Sequence, residues 1–262
     1  MNIMNIMNIK ILLLLGIIIF CIIFCCVKEN LENNTNYKKN DKIKLIGICV
    51  SYNYMDTLKN ILPINLKHFD KIYIVTQKDD LETIRYCKQY KKVEIVYFDF
   101  KKGDKIFNKG GGMKKAQKIA HKKYPDHWYL IFDSDIVLPS NFKDILNKRN
   151  LNPEEMYGCE RCIVTDKNNL QKCNTSTQKN IKSKVGVGYK EACMGYFQLY
   201  KKHKLYQDSE HAGHVDNIYS NQFKNNGLDM FVYHLGLPFK NWKGKMENFS
   251  INISLEDLHF NC

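Results

Sequence analysis

The sequence predicts an α/β fold, a mostly parallel β-sheet sandwiched between helices. Three observations predict it. Short apolar, β-branched runs alternate with segments of helical spacing from residue 44 to residue 145. The strand candidates are mostly apolar and β-branched, as strands of a sheet covered on both faces are. A glycine turn, "NKGGG", opens the helix before the fourth of them.

The elements follow in order. "KLIGICVSY" reads as a first strand. "MDTLKNILPINLKHF" has helical spacing with an interruption expected at Pro63. "KIYIVT" is a second strand, and "DDLETIRYCKQY" a helix whose acidic start suits the macrodipole. "VEIVYFDF" is a third strand, "NKGGGMKKAQKIAHKKY" a glycine turn opening a helix, and "WYLIFDSD" a fourth strand. Beyond Pro139 the pattern loosens. "NFKDILNKR" is helical and "MYGCERCIVTD" a strand. "EACMGYFQLYKKHKLY" has strand then helix character, "HAGHVDNIYSNQFKNNG" loop then helix, and "DMFVYHLG" is a final strand.

The ends of the chain have their own logic. Residues 1–10 are a low-complexity tail, and residues 11–27, "ILLLLGIIIFCIIFCCV", carry no charge. Seventeen residues at about 1.5 Å each give about 25 Å of helix, the short end of a bilayer span. No small-residue cleavage site follows, so an uncleaved transmembrane anchor is favoured over a signal peptide. Charge flanking the segment slightly favours the N-terminus on the cytoplasmic side, with the bulk of the chain lumenal or external. Residues 28–43 read as a polar stem, and 44–262 as the globular domain. The formal charge is +13, but the lysines are scattered and no basic stretch is interleaved with aromatics, so nucleic acid is not expected as a partner. Cys159 and Cys162 form a C-x-x-C with Cys173 nearby, and no second metal-binding pair accompanies them. Buried thiols, a local disulfide and, least favoured, zinc are the options. Sequons at Asn33, Asn174, Asn248 and Asn252 carry little weight in a chain this rich in Asn.

Chemistry concentrates at "YLIFDSDIVLP". Asp133 and Asp135 end an apolar strand, and ligands in parallel sheets bind beyond the carboxyl ends of strands. Two carboxylates at i and i+2 on a turn suit a hard divalent cation, Mn²⁺ or Mg²⁺, that keeps positions for phosphate oxygens. His234, at the end of "VYHLG", is a candidate third ligand if it lies beside the acids. Lys109, Gly110 and Gly111 suit an anionic ligand at a helix start, although no known phosphate motif is matched. "SEHAGHVDN" offers Glu210, His211, His214 and Asp216 as general bases, with Asp216 equally a helix N-cap.

Together these stretches resemble the GT-A glycosyltransferases, and among them the family 2-like group, over residues 44–245. "IGICVSYNYMDTL" resembles the first strand and nucleotide pocket, "NKGGGMKKAQKIA" the Asn-Gly helix, and "LIFDSDIVLP" the D-x-D strand. "CMGYFQLYKKHKLY" followed by "HVDNIYSNQF" resembles the acceptor strand and base loop, and "HLG" the late histidine. The resemblance implies a GT-A, Rossmann-like fold and a nucleotide-sugar donor held through Val50, Tyr52, Lys109, Gly110, Gly111, Asp133 and Ser134. It implies a metal on Asp133, Asp135 and His234, an acceptor near Gly195 and Glu210, and Asp216 as catalytic base. The acceptor would be a glycan, protein or lipid hydroxyl, and a single displacement would invert configuration. The family's acid at the end of the second strand is missing, since Asp79 and Asp80 come late, and no Q-x-x-R-W is present. A nucleotidyltransferase of related α/β fold and an inactive membrane-anchored binding module remain as alternatives.

Overall fold

β1 (Leu45–Val50) shows how the chain builds its core. Its even residues, Ile46, Ile48 and Val50, pack into one cluster, and Leu45 and Cys49 into another. Side chains alternate across a strand, so a strand apolar at every position feeds two cores. The computed structural model describes residues 42–165 and 193–236. The compact unit that holds every described element begins at Ile43. The anchor expected at 11–27 and nearly all of the stem lie outside the described residues, among which no helix is long and apolar enough to cross a membrane.

The order after β1 is α1 (Met55–Asn65), a 3-10 turn (Leu66–His68), β2 (Lys71–Thr76), α2 (Leu81–Cys87), β3 (Val93–Tyr97) and α3 (Lys109–Lys123). Then come β4 (Trp128–Phe132), the two-residue β5 (Ile136–Val137), α4 (Phe142–Lys148), β6 (Glu155–Val164), β7 (Phe197–Tyr200), α5 (Val215–Ser220) and β8 (Lys224–Leu235). The strands form one eight-stranded sheet in the order β3-β2-β1-β4-β7-β6-β8-β5. α1, α2 and α4 contribute to one core, and α3 and α5 to the other, so helices cover both faces.

The sheet is mixed rather than almost wholly parallel. β3, β2, β1 and β4 run parallel, but β7 enters antiparallel between β4 and β6, and β5 pairs antiparallel with β8. The chain grows outward from β1 to β3 and then returns across β1 to β4. The direction of growth therefore reverses between β1 and β4, and open α/β sheets bind ligands outside the carboxyl ends of strands at such a point.

Several boundaries differ from the sequence expectation. Pro63 does not interrupt α1. A proline inside a helix leaves the carbonyl four residues earlier without its donor, and here Tyr86 Oη supplies one to Lys59 O at 3.0 Å. No helix follows β7. Residues 201–209 are an irregular segment, for reasons set by the site. Asn225, Asn226 and Gly227 do not stop a helix but lie inside β8. Cys159 is a free buried thiol, while Cys162 is disulfide-bonded. The remaining described cysteines, Cys49, Cys87 and Cys193, are free.

Candidate active site

The end of β4 is held on both sides. On one side Asn65, fully buried at the end of α1, acts as a piece of strand: its Nδ2 donates to Ile136 O at 2.8 Å and its Oδ1 accepts from Leu138 N at 2.9 Å. On the other, Ile136 pairs with His234 across β5 and β8, and Leu235 N donates to Asp135 O at 2.8 Å. The Asp133–Ser134–Asp135 turn is thus pinned, with Ser134 buried inside it.

The two acids face different partners. Asp135 Oδ2 lies 3.5 Å from His234 Nε2. Asp133 Oδ1 accepts from Lys109 Nζ at 3.1 Å, and the same ammonium reaches Asp216 Oδ2 at 3.3 Å. Burial alone would lower the Lys109 pKa, but Asp133 and Asp216 outweigh it and hold the ammonium above its ordinary range. Burial pushes the Asp216 carboxyl up, Lys109 opposes this, and Asp133 adds to it. Asp135 is likewise raised by burial, with His234 opposing and Asp133 adding. The Cys49 thiol beneath the turn is held well above its usual range by burial and then by Asp133 and Asp135, so it is no thiolate nucleophile.

A divalent cation can be tested against these groups. Asp135 Oδ1 and His234 Nδ1 are buried with no hydrogen-bond partner, and an unpaired buried carboxylate oxygen is costly. A carboxylate and an imidazole are ligands that Mn²⁺ accepts. Among the described residues no group of three or more His, Cys, Asp or Glu side chains is arranged to hold a metal. The residues fit an ion completed by phosphate oxygens and water, and they do not fit a closed protein cage. Asp133, expected as a ligand, is turned to Lys109 instead.

The glycines at the start of α3 correct an expectation. Asn108 caps the helix, its Oδ1 accepting from Gly111 N at 2.7 Å and Ser209 N at 2.8 Å, and Gly110 N donates to Ser209 Oγ at 3.1 Å. Those N–H groups are spent inside the protein and do not form a phosphate cradle. Glycine is required for close packing: a Cβ on Gly110 would stand 1.9 Å from Gln207 O. The glycines let the irregular 201–209 segment dock closely onto the start of α3.

The remaining expected residues divide. Asp216 is not an N-cap. His214 holds that position at φ 62°, and Asp216 sits in the first turn with its carboxylate in the cluster. It lies so close to Gly195 that a Cβ there would be 1.9 Å from Asp216 Oδ2. Glu210 is exposed, and its main-chain carbonyl accepts from Ile106 N and Phe107 N at 3.0 and 2.9 Å. Val50 is a core residue at the end of β1. Tyr52 follows it and donates to Asp79 Oδ2 at 3.2 Å. Asp80 caps α2 and accepts from Asn53 N and Thr76 Oγ1, both at 2.9 Å. The two late acids therefore fold back onto the β1 loop. An open cleft of about 560 Å³ lies there, lined by Asn53, Lys59, Asp79 and Arg85 among others.

Sequence reasoning missed Asn65, Tyr206 and Gln198. Tyr206 Oη lies 2.8 Å from Asp216 Oδ1, and Gln198 Nε2 lies 3.1 Å from Asp216 O. A glutamine within the apolar run "YFQLY" was the available signal, because a buried amide must find partners.

Fold and site together define an α/β protein with a cluster of acids around Lys109 and His234 at the carboxyl end of β4, beside a topological switch point. No family model matches the chain, and no curated protein does. Among solved structures it is similar to a 4-diphosphocytidyl-2C-methyl-D-erythritol synthase from Anaerococcus prevotii, at 16% identity and a TM-score of 0.35, over 47% of this chain and 57% of that one. It is also similar to the glycosyltransferase GlyE of Streptococcus pneumoniae, at 14% identity and a TM-score of 0.31, over 60% of this chain and 34% of that one. The chain thus spans little more than half of the first and about a third of the second.

Proposed function

We propose that this chain is a metal-dependent glycosyltransferase that moves a sugar from a nucleotide-sugar donor to an acceptor hydroxyl with inversion. The observation that carries the reading is the convergence of Asp133 and Asp216 on the Lys109 ammonium beside the Asp135–His234 pair, at the carboxyl end of β4. Acids are gathered there from distant parts of the chain, where the fold opens its ligand crevice.

In this reading Asp135 and His234 would hold Mn²⁺ or Mg²⁺, which would supply positive charge against the leaving diphosphate. Tyr52, Ser134 and Lys109 lie on the donor side with the end of β1. Asp216, raised by burial, is the general base. As the acceptor oxygen bonds to the anomeric carbon, the bond from that carbon to the diphosphate breaks, and the hydroxyl proton passes to Asp216. The bare Gly195 backbone lets that carboxylate stand at the acceptor wall. The disulfide at Cys162 supports an oxidising compartment for this domain, consistent with an anchor at 11–27 whose N-terminus is cytoplasmic.

The test is a donor screen. The full chain in detergent is incubated with a panel of nucleotide sugars and Mn²⁺, and released nucleoside diphosphate is measured with and without chelator. Release that stops with chelator, and is absent in Asp135→Ala, is expected. Pyrophosphate release from a nucleoside triphosphate and a sugar phosphate would instead identify a nucleotidyltransferase.

A further inference from the structure

Three oxygens beside the proposed base compete for hydrogens. The Gln198 side chain is fully buried, and its amide is fixed by its own donors: Nε2 donates to Cys193 O at 2.7 Å and to Asp216 O at 3.1 Å. Its Oε1 is therefore an acceptor, and it faces the Tyr206 hydroxyl at 2.5 Å. The same hydroxyl lies 2.8 Å from Asp216 Oδ1. A phenol carries one proton. When Asp216 is ionised, that one proton must serve Asp216 and Gln198 between them, so at most one of the two contacts is a full hydrogen bond. Each contact has a proton of its own only when Asp216 is protonated on Oδ1 and donates to the phenol oxygen, while the phenol donates to Gln198.

Little except the hydroxyl can respond. Tyr206 is buried, its ring stacks on Tyr219 with centroids 4.1 Å apart, and its N donates to Gln117 Oε1 at 2.8 Å. The geometry points to Tyr206 as a positioning residue for the base: its hydroxyl turns from Asp216 to Gln198 as Asp216 takes up a proton, so the buried carboxyl keeps a partner in both states. This rests on the reading of Asp216 as the base. The other groups facing Asp216 are the Lys109 ammonium from α3, with Asp133 from β4 behind it, and the Gly195 backbone. Lys109 favours the ionised carboxyl, and the Gln198–Tyr206 arm accommodates the protonated one. An acid that must gain and release a proton in each turnover needs both.

The test begins without substrate. The full chain, labelled with ¹³C at Asp carboxyls and Tyr Cζ, is titrated by NMR, with Asp216 assigned by its loss in Asp216→Asn. In the unaltered chain the Tyr206 Cζ signal should move at the same midpoint as the Asp216 carboxyl, by less than a full phenolate shift. Tyr206→Phe removes a donor to the ionised carboxyl, so the midpoint rises by about one pH unit. Gln198→Met frees the Tyr206 proton for Asp216 alone, so the midpoint falls. The double variant should lie near Tyr206→Phe and well above Gln198→Met, because Gln198 Oε1 acts only through the hydroxyl, while the lost Nε2 donation to Asp216 O is common to both Gln198 variants. Opposite shifts from two neutral substitutions are not what loosened packing produces. Shifts in the same direction, or a Tyr206 signal blind to the Asp216 midpoint, would overturn the inference. The acid limb of kcat should move with the NMR midpoint at unchanged donor KM. A limb that stays still while the NMR midpoints move would leave the hydroxyl switch standing and remove Asp216 as the base.

Discussion

Replacing Lys109 with Met removes one charge and keeps most of the buried stem. The Lys109 side chain is 9% exposed, Asp216 19% and Asp133 35%. At 3.3 Å the Lys109–Asp216 attraction is about 5 kcal/mol gross with an effective dielectric constant of 20. Removing one partner of a buried pair costs about 3–5 kcal/mol, mostly because the other charge stays buried. The more exposed Asp133 contact adds at most about 1 kcal/mol. Lys109→Met should therefore lose about 3–5 kcal/mol at pH 8, about 6–20 °C in Tm for a domain of this size. The pH dependence has a definite sign. The Asp216 carboxyl is already raised in the folded chain, and losing the ammonium raises it further. A carboxyl with a raised folded pKa contributes most below its unfolded value and least once pH has climbed through the folded one. The deficit should thus shrink at pH 5, where Asp216 is closer to neutral. Adding Asp216→Asn should recover most of the loss at pH 8, giving a strong coupling in the double-mutant cycle. Urea denaturation of the four proteins at both pH values measures this. A deficit below about 1 kcal/mol, equal at the two pH values and uncoupled to Asp216, would refute the buried triad.

Asp135→Asn should remove transfer activity yet raise the urea midpoint at pH 7, since burial disfavours the ionised carboxyl and Asn resembles the protonated form; unaltered or lower stability would count against an uncompensated charge there. Gly195→Ala places a Cβ 1.9 Å from Asp216 Oδ2 and must displace the carboxylate, so turnover should fall about 100-fold with donor affinity kept. Residues 11–27 should hold the chain in membranes through carbonate extraction, with the N-terminal Met still present on the mature protein; a chain starting near residue 28 would show a cleaved signal instead.

The parts of this protein that were legible in the sequence are those whose cause is local. β1, β2 and β4 announce themselves because nearly every position is apolar, and the acids of the D-S-D turn stand out against the last of these runs. Pro63 misled because its cost is met by Tyr86, a residue on another helix. β7 could not be placed between β4 and β6 from pattern alone, since a four-residue, mostly apolar strand fits any slot. The three glycines of α3 suggested phosphate, and the structure spends them on packing, because nothing local distinguishes a backbone approached by a ligand from one approached by residue 207.

Lys109 is the instructive residue. In the sequence it is one lysine among many in a basic chain, and its neighbours point to an anionic substrate. In the fold its ammonium lies between two carboxylates that enter 24 and 107 residues later. That placement changes the meaning of the acids around it. Asp133 and Asp135 look equivalent as a pair on a turn, but Lys109 claims the first and leaves the second, with an unsatisfied oxygen, to His234. The same ammonium ties Asp133 to Asp216, so the donor-side turn and the base share one counter-ion. A phosphate or a divalent cation entering beside Asp133 must therefore alter the charge that Asp216 feels. On the proposed reading, donor binding and the readiness of the base would be linked through the Lys109 side chain.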